Sequence, residues 1–320
     1  ILSIPKWNNE SLLLIDTPRA LILNLNDAKP LKPVLRAIER LARRIAKPRV
    51  LLCSYSPASL VNSFIDDRGI LSMKKPENYV AYVSQLADRL GADFYLPFAS
   101  QAEFDRDDSR WANDYRTSFA DLERFWRARA RLLPPYTTLD LEDFNHQSLA
   151  PEQYQARAPA RIATLTRQRM AEEEAAPIAP ADLTGLERKL NAFRWLFRFL
   201  FPRGFAWALG NRCFRYDAWS GRLVETDPAG TERGDFVIAV PKLTLHEAIE
   251  NNHLSDLGIT MFVRIRLLRP LDMRKVYGIF VLFGFDDYGH FKSLGAFCRW
   301  LGAGLKHSLT LRLPQPPAAK

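Results

Sequence analysis

Cysteine is scarce in this chain, which has three cysteines among its 320 residues. Cys53, Cys213 and Cys298 are an odd number and lie far apart in the sequence. They therefore predict neither a disulfide framework nor a zinc knuckle. This usage is typical of a reducing compartment, and we expect the protein to be cytoplasmic.

Histidine is also rare, with five residues in the chain. No two of them stand two or four positions apart, the spacings that place two imidazoles on one metal ion. The sequence has no nucleophile-elbow glycine pattern and no glycine-rich phosphate loop. The usual local signatures of catalysis are therefore absent. The five histidines are His146, His246, His253, His290 and His307.

Long apolar runs are missing too. The most apolar stretches, Leu257–Leu268 and Val276–Phe285, are too short or are interrupted by Arg264 and Arg266. A membrane span needs about 20 apolar residues, so we expect none. The chain begins at Ile1 without a charged head and an apolar stretch, which predicts no signal peptide. It reads as though an upstream segment had been removed.

What the sequence does have is a globular composition with a basic excess. Apolar residues make up 47% and charged residues 25% of the chain, which excludes a disordered or low-complexity protein. The formal net charge is +9, and most of the excess lies after residue 150. Such a surplus suits an anionic partner. No known DNA- or RNA-binding motif is present, so we expect no nucleic-acid partner.

The order of the predicted elements indicates an α/β fold, because strands and amphipathic helices alternate at the short spacing that parallel pairing requires. The length favours two units: residues 1–145 and an α+β unit over 185–320, joined by a helical connector and linker over 146–184. The predicted strands are Ser11–Ile15, Ala20–Asn26, Arg49–Cys53, Asp93–Pro97, Thr137–Leu141, a strand region near Ala206–Tyr216, and Asp235–Val240. The predicted helices are Val34–Ala46, Glu77–Leu90, Phe119–Leu132, Leu186–Phe201 and Leu243–Asn251.

Polar residues follow three of the predicted strands. They are Asn24–Asp27, Cys53–Ser56 and Pro97–Ser100. In open α/β sheets ligands bind outside the carboxyl ends of the strands, so these residues are predicted to line one rim. From spacing alone, Asp27 is either a ligand at this rim or the cap of the following helix.

The segment Phe104–Arg116 is dense in carboxylates and arginines. Two interpretations stay open: a loop that lines the site, or a surface loop held by its own salt bridges. Its candidate site residues are Arg106, Arg110, Asn113, Asp114 and Arg116.

Four motifs in series resemble the second half of metallo-β-lactamase-fold proteins, in the branch of the CMP-N-acetylneuraminate hydroxylases and their bacterial relatives. They are Leu23–Asp27, Leu51–Ala58, Tyr95–Ser100 and Trp111–Asp114. The resemblance covers about residues 8–145. It implies the second half of an αββα sandwich, with a metal held at the rim between the two halves.

The resemblance implies a zinc or iron ligand at Asp27, which falls where the superfamily places its metal-bridging aspartate. Many relatives carry a histidine ligand shortly after the position of Pro97, whereas this sequence has Ala99 there. The superfamily's His-x-His-x-Asp-His motif belongs to the first half of the fold and has no match here. Since a metal site takes three or four protein ligands, we expect no tightly bound metal without a complementary N-terminal half.

The second unit resembles the small domains that follow this fold in bacterial relatives, some of which are sterol-carrier-like. The matching segments are Gly234–Val240, Leu245–Ile249 and Leu254–Met261. This resemblance implies an apolar cavity for a lipid tail. The segment Phe193–Trp207 mixes aromatics with arginines, which is typical of either an interfacial helix or a core helix with snorkelling arginines. We interpret His246 as a structural histidine.

Two functions follow. The first is a metal-dependent hydrolase or oxygenase that acts on an anionic substrate and is incomplete in this chain. Its catalytic residues would be Tyr55, Ser100, Asn113 and Asp114, and its substrate-binding residues Arg106, Arg110 and Arg116. The second is a non-catalytic protein that binds a lipid or a protein partner through its apolar second unit. For the location of the chain, the alternative to the cytoplasm alone is a position at the membrane surface. Because a half-fold exposes an apolar sheet face, self-association is also expected.

Overall fold

Strands and helices alternate through the part of the chain that the computed structural model describes: residues 2–5, 11–26, 30, 32–56, 63–65, 75–100, 103–110, 113, 116–150, 159–258, 263–289 and 293–310. The strands are β1 (Leu2–Pro5), β2 (Ser11–Asp16), β3 (Leu21–Asn26), β4 (Arg49–Cys53), β5 (Phe64–Ile65), β6 (Phe94–Pro97), β7 (Arg131–Leu132), β8 (Thr137–Leu139), β9 (His146–Ser148), β10 (Phe205–Leu209), β11 (Arg212–Asp217), β12 (Arg222–Thr226), β13 (Phe236–Ala239) and β14 (Arg264–Leu267). The helices are α1 (Lys32–Arg44), α2 (Pro76–Leu90), α3 (Phe119–Phe125), α4 (Pro159–Ala175), α5 (Pro180–Ala192), α6 (Arg194–Leu200), α7 (Pro228–Thr231), α8 (Lys242–Glu250), α9 (Met273–Asp287) and α10 (Leu294–Thr310).

The first sheet joins an antiparallel edge to a parallel body. Among the described residues its strand order is β1-β2-β3-β4-β6-β7. β1, β2 and β3 pair antiparallel, whereas β3, β4, β6 and β7 pair in parallel. Thr17 closes the β2–β3 turn, its hydroxyl donating to the Ala20 carbonyl at 2.8 Å. The predicted α/β class and the parallel pairing are confirmed.

Two amphipathic helices make the crossovers from β3 to β4 and from β4 to β6. α1 buries Val34, Ile38 and Leu41, which recur at three- and four-residue spacing and so share one face. α2 begins with Pro76, whose fixed φ suits the first helical turn. It ends at Gly91, where the left-handed φ of +60° lets the chain turn back toward β6.

The predicted helix Phe119–Leu132 is wrong in its second half. α3 ends at Phe125, and residues 131–132 form β7 instead. The Arg131 N–H donates to the Asp93 carbonyl at 2.8 Å, so the parallel sheet satisfies this backbone. Helical spacing carries no information about that distant neighbour.

The region between the two predicted units is more helical than expected. α4 lies in the predicted connector, but α5 begins at Pro180 rather than at Leu186. The helix expected over Leu186–Phe201 is two helices, broken at Phe193, whose φ is −115°. The strand expected over Thr137–Leu141 is shorter and pairs only with β9 in a separate hairpin within the described residues.

The second sheet draws a strand from the first predicted unit. Its order in the described chain is β12-β11-β10-β13-β14-β5. β10 and β11 form a hairpin around Gly210, so the strand region expected near Ala206–Tyr216 is two strands. β5 pairs in parallel with β14, with Phe64 opposite Ile265. Residues that precede α2 therefore complete this sheet.

Each sheet carries its own apolar core. Large buried side chains such as Tyr95 fill the first core, and Phe197, Trp207 and Phe236 fill the second. Dense aromatic packing of this kind contributes both buried area and favourable ring geometry. None of the helices in the described segments is long and apolar enough to cross a membrane.

Candidate functional site

The rim at the carboxyl ends of β4 and β6 is held together by hydroxyl groups. Ser100 Oγ accepts hydrogen bonds from the backbone N–H groups of Tyr55, at 2.8 Å, and Ser56, at 3.2 Å. Ser56 Oγ in turn accepts from the Thr117 N–H at 3.1 Å. Tyr55 and Ser100 are both buried. The structure therefore brings these two predicted site residues together. The Ser100 hydroxyl links the loop that follows β6 to the loop that follows β4.

The predicted metal ligand cannot be placed, because Asp27 lies outside the described residues, as does Asp114. Ala99, where many relatives carry histidine, has a left-handed φ of 52° and a methyl side chain that ligates nothing. Across the described segments, no group of three His, Cys, Asp or Glu side chains could hold a metal ion. The described donors do not fit a zinc or iron centre.

Asn113 closes its own loop. Its side-chain amide donates to the Phe104 carbonyl at 2.8 Å, and its side-chain oxygen accepts from the Phe104 N–H at 3.0 Å. Arg110 is exposed and pairs with Asp107 at 3.0 Å. Arg116 is half-buried, and its backbone N–H donates to the Asn113 carbonyl at 3.2 Å. The Arg110–Asp107 pair agrees with the interpretation of a surface loop held by its own salt bridges, whereas hydrogen bonds to backbone hold Asn113.

Arg106 ties the same loop to α4. Its guanidinium forms two hydrogen bonds of 2.9 Å to the Asp108 carboxylate and one of 2.6 Å to Glu173. Glu173 also accepts from Thr244 of α8 and pairs with Arg169. Its side chain is only 5% exposed, so it depends on these partners. This Arg106 network joins three separated parts of the chain.

The Arg106 network shifts the pKa values of its members. Burial raises the pKa of Asp108, but the hydrogen bonds and positive charge of Arg106 outweigh burial and lower it. Burial lowers the pKa of Arg106, and its bonds to Asp108 and Glu173 outweigh this and raise it. The charge of Arg106 is thus already matched by two carboxylates of the chain.

A cleft of about 770 Å³ opens beside this network, between the 103–110 loop, α4 and the second sheet. Strands β10, β13 and β14, the β10–β11 turn and the start of α8 contribute to its walls. The lining residues are Arg106, Asp107, Asp108, Arg167, Met170, Ala171, Glu173, Glu174, Ala208, Gly210, Asn211, Ala239, Val240, Pro241, Lys242 and Arg264. They are mainly charged or small, unlike the apolar cavity that the sterol-carrier resemblance implies.

The cleft has room because alanines form its floor. In the sheet register Ala208 of β10 lies beside Ala239 of β13, and Ala239 lies opposite Arg264 of β14. The alternate positions of these strands, such as Trp207 and Ile238, point into the second core. Large side chains therefore fill one face of the sheet, while methyl groups leave space on the other.

The cations of the cleft differ in what they contact. Arg106 is neutralised by carboxylates, but among the described residues Arg167, Lys242 and Arg264 form no ion pair. The Arg167 Nε donates to the Ala163 carbonyl at 3.2 Å, and the Lys242 ammonium donates to the Glu174 carbonyl at 2.5 Å. Three positive charges on three different elements thus line one cleft without an ion pair in the described chain. Carboxylates line it too, and the charge of Arg264 contributes to the lowered pKa of Asp108. Because Asp108 and Glu173 are already paired with Arg106, the cations that form no ion pair can attract an anion.

Sequence reasoning missed this cleft, although one signal for it was present. The β10 sequence Phe205–Leu209 alternates large apolar residues with alanine. Such alternation predicts one packed face and one open face of a strand. No local pattern connects that strand to Arg167, Lys242 or Arg264.

His246 contacts a carboxylate of the chain. Its Nδ1 lies 2.9 Å from Asp182 Oδ1, and this hydrogen bond, together with the charge of Asp182, raises the pKa of His246. The arrangement agrees with the interpretation of His246 as a structural histidine.

No known protein family, curated protein or solved structure matches this chain. The metallo-β-lactamase resemblance therefore stays a prediction.

Proposed function

We propose that this chain is a binding module for a small anion that carries a phosphate or carboxylate group, held in the cleft above the alanine floor. The observation that carries the proposal is the set of three cations, Arg167, Lys242 and Arg264, that line one cleft without an ion pair in the described chain. Arginine and lysine donate strong hydrogen bonds to phosphate and carboxylate oxygens.

The Arg106 network supports the proposal because it fixes the walls of the cleft. Arg106 connects the 103–110 loop to α4, and the Glu173–Thr244 bond connects α4 to α8. Arg167 and Lys242 are carried by the two helices joined in this way. A cleft whose walls are held by such bonds loses less conformational entropy when it binds a ligand.

A metal-dependent hydrolase or oxygenase stays a prediction, with Tyr55, Ser100, Asn113 and Asp114 as its catalytic candidates. Among these, Ser100 and Asn113 form hydrogen bonds to loop backbone. Such contacts suit a scaffold, and this is why a binding module is the better-supported function. Cytoplasmic localisation is likewise proposed from cysteine usage.

The test compares two arginines on the same strand and the same face of the sheet. Arg264 lines the cleft, whereas Arg266, two residues later, already pairs with Glu232 at 2.5 Å. Calorimetric titration with inorganic pyrophosphate and with citrate, at constant ionic strength, measures binding to the full chain. We expect Arg264→Gln to weaken binding of at least one anion by about tenfold or more, since a hydrogen bond to a charged group contributes about 1.5–3 kcal/mol.

Arg266→Gln is the matched control and should leave the affinity within about twofold of the unchanged chain. Lys242→Gln should weaken binding in the same way as Arg264→Gln, because both cations face the cleft. If neither anion binds, or if the two arginine variants lose affinity equally, the cleft is not an anion site.

A further inference from the structure

Helix α6 has two faces of different character. Phe193, Phe197 and Phe201 are buried in the second core at four-residue spacing. On the opposite face, Trp195 is 42% exposed and Phe199 is 82% exposed. Residues four apart lie on one side of a helix, so these two aromatic rings project outward together.

A third exposed aromatic lies beside α6. Trp219, in the β11–β12 turn, is 66% exposed, and the Arg198 guanidinium lies 4.9 Å from the centroid of its ring. Arg194 and Arg198 both donate hydrogen bonds to the Ala218 carbonyl, at 2.9 Å in each case, which holds the turn against the helix. Trp195, Phe199 and Trp219 together are called the aromatic patch below.

Positive charge surrounds the aromatic patch. Arg194 and Arg198 have carbonyl oxygens as partners, and within the described chain neither they nor the exposed Arg203 forms an ion pair. Asp217 lies in the same turn, where its carboxylate accepts the N–H groups of Trp219 and Ser220. A second carboxylate, that of Asp235, accepts the backbone N–H of Arg203 at 3.3 Å. Three arginines against these two carboxylates leave the surface of the patch positive.

We propose that the aromatic patch binds the surface of an anionic lipid bilayer. The three rings project from a helix and a turn, a shape that fits insertion among headgroups. Aromatic rings flanked by arginines are favoured at the bilayer interface, where the rings reach apolar chains and the arginines meet lipid phosphates. Anionic lipid adds an attraction that grows with each nearby arginine.

The aromatic patch and the cleft lie on opposite sides of the second sheet. Phe197 of α6 packs edge-on against Phe205, on the filled face of β10, whereas the cleft lies over Ala208 on the other face. A chain attached to a bilayer through the patch therefore keeps its cleft open to solvent. The membrane proposal stands on different residues from the anion-binding proposal, and either can fail alone.

Vesicle co-sedimentation of the full chain tests the proposal. The vesicles are made of phosphatidylcholine alone, or of phosphatidylcholine with an equal amount of phosphatidylserine. The chain should bind the anionic vesicles and bind the neutral ones at least about fivefold more weakly. Phe199→Ala should reduce binding to anionic vesicles about tenfold through lost apolar burial. Arg203→Glu should reduce it at least about fivefold through charge.

The control variant is Leu165→Ala on α4, which removes an apolar side chain that is 54% exposed and lies away from the patch. It should bind like the unchanged chain. Phe199 is largely exposed, so its variant should keep the parent melting temperature, and circular dichroism checks this. The proposal is overturned if anionic vesicles do not retain the chain, or if Phe199→Ala binds as well as Leu165→Ala. It is also overturned if sedimentation velocity shows a dimer that Phe199→Ala dissociates, because the occupant is then a second copy.

Discussion

Replacing Arg106 by methionine tests whether this residue stabilises the fold or serves only to bind a substrate. Methionine keeps much of the length of the side chain but removes three charge-assisted hydrogen bonds, two to Asp108 and one to Glu173. Breaking a buried ion pair by removing one partner destabilises a protein by about 3–5 kcal/mol.

The expected loss of stability is smaller here, because Glu173 and Asp108 keep other hydrogen-bonding partners when Arg106 is replaced. Glu173 keeps Arg169 at 3.3 Å and the Thr244 hydroxyl at 3.1 Å, and the Asp108 side chain is 27% exposed and reaches water. We therefore expect Arg106→Met to lower the free energy of unfolding by about 2–3 kcal/mol. For a chain of this size that corresponds to a fall of about 4–6 °C in melting temperature.

Thermal denaturation followed by circular dichroism measures this effect. The matched control is Arg110→Met in the same loop, whose pair with Asp107 has both side chains more than 60% exposed. Such an exposed pair contributes less than about 1 kcal/mol, so this variant should melt within about 1–2 °C of the parent. Equal melting temperatures for the two variants would refute the structural role of Arg106 and return it to the substrate-binding candidates.

Two further predictions concern titration and buried charge. Asp182 raises the pKa of His246 above its ordinary value of 6.5, so the stability from this pair is fully present below pH 6.5 and is lost as the pH rises through the folded value. His246→Gln should therefore have a lower melting temperature than the parent in acid and the same melting temperature in alkali. The loss of stability in acid should be under about 1 kcal/mol, because the imidazole is 45% exposed. Lys189, 4% exposed, lies 2.5 Å from Asp286 and 2.7 Å from Asp287, and Lys189→Met should lower the free energy of urea unfolding by about 3–5 kcal/mol.

Each of these two predictions has its own contrary result. A melting difference between His246→Gln and the parent that grows with rising pH would show that the sign is wrong. For the buried lysine, Arg188→Met on the exposed neighbouring position is the control. If Lys189→Met were no less stable than Arg188→Met, the ion pairs of Lys189 with Asp286 and Asp287 would not stabilise the fold.

The sequence by itself determined most of the local structure. The hairpin of β2 and β3, the helices α1 and α2 and the strand β4 were all readable, because the spacing of apolar side chains reports which face of an element is buried. The α/β class followed from their order. The errors occurred where a distant backbone decided the outcome: residues 131–132 form a strand because β6 lies beside them.

The candidate sites divide in the same way. Ser100 and Tyr55 were placed at one rim correctly, because parallel strands end at the same edge of a sheet. The roles of these residues depended on hydrogen bonds that no local pattern contains. Only the tertiary structure brought Arg167, Lys242 and Arg264 to one cleft, because strands and helices far apart in the chain must first pack and pair. Composition shows that the chain is basic, and folding decides which charges remain without a partner.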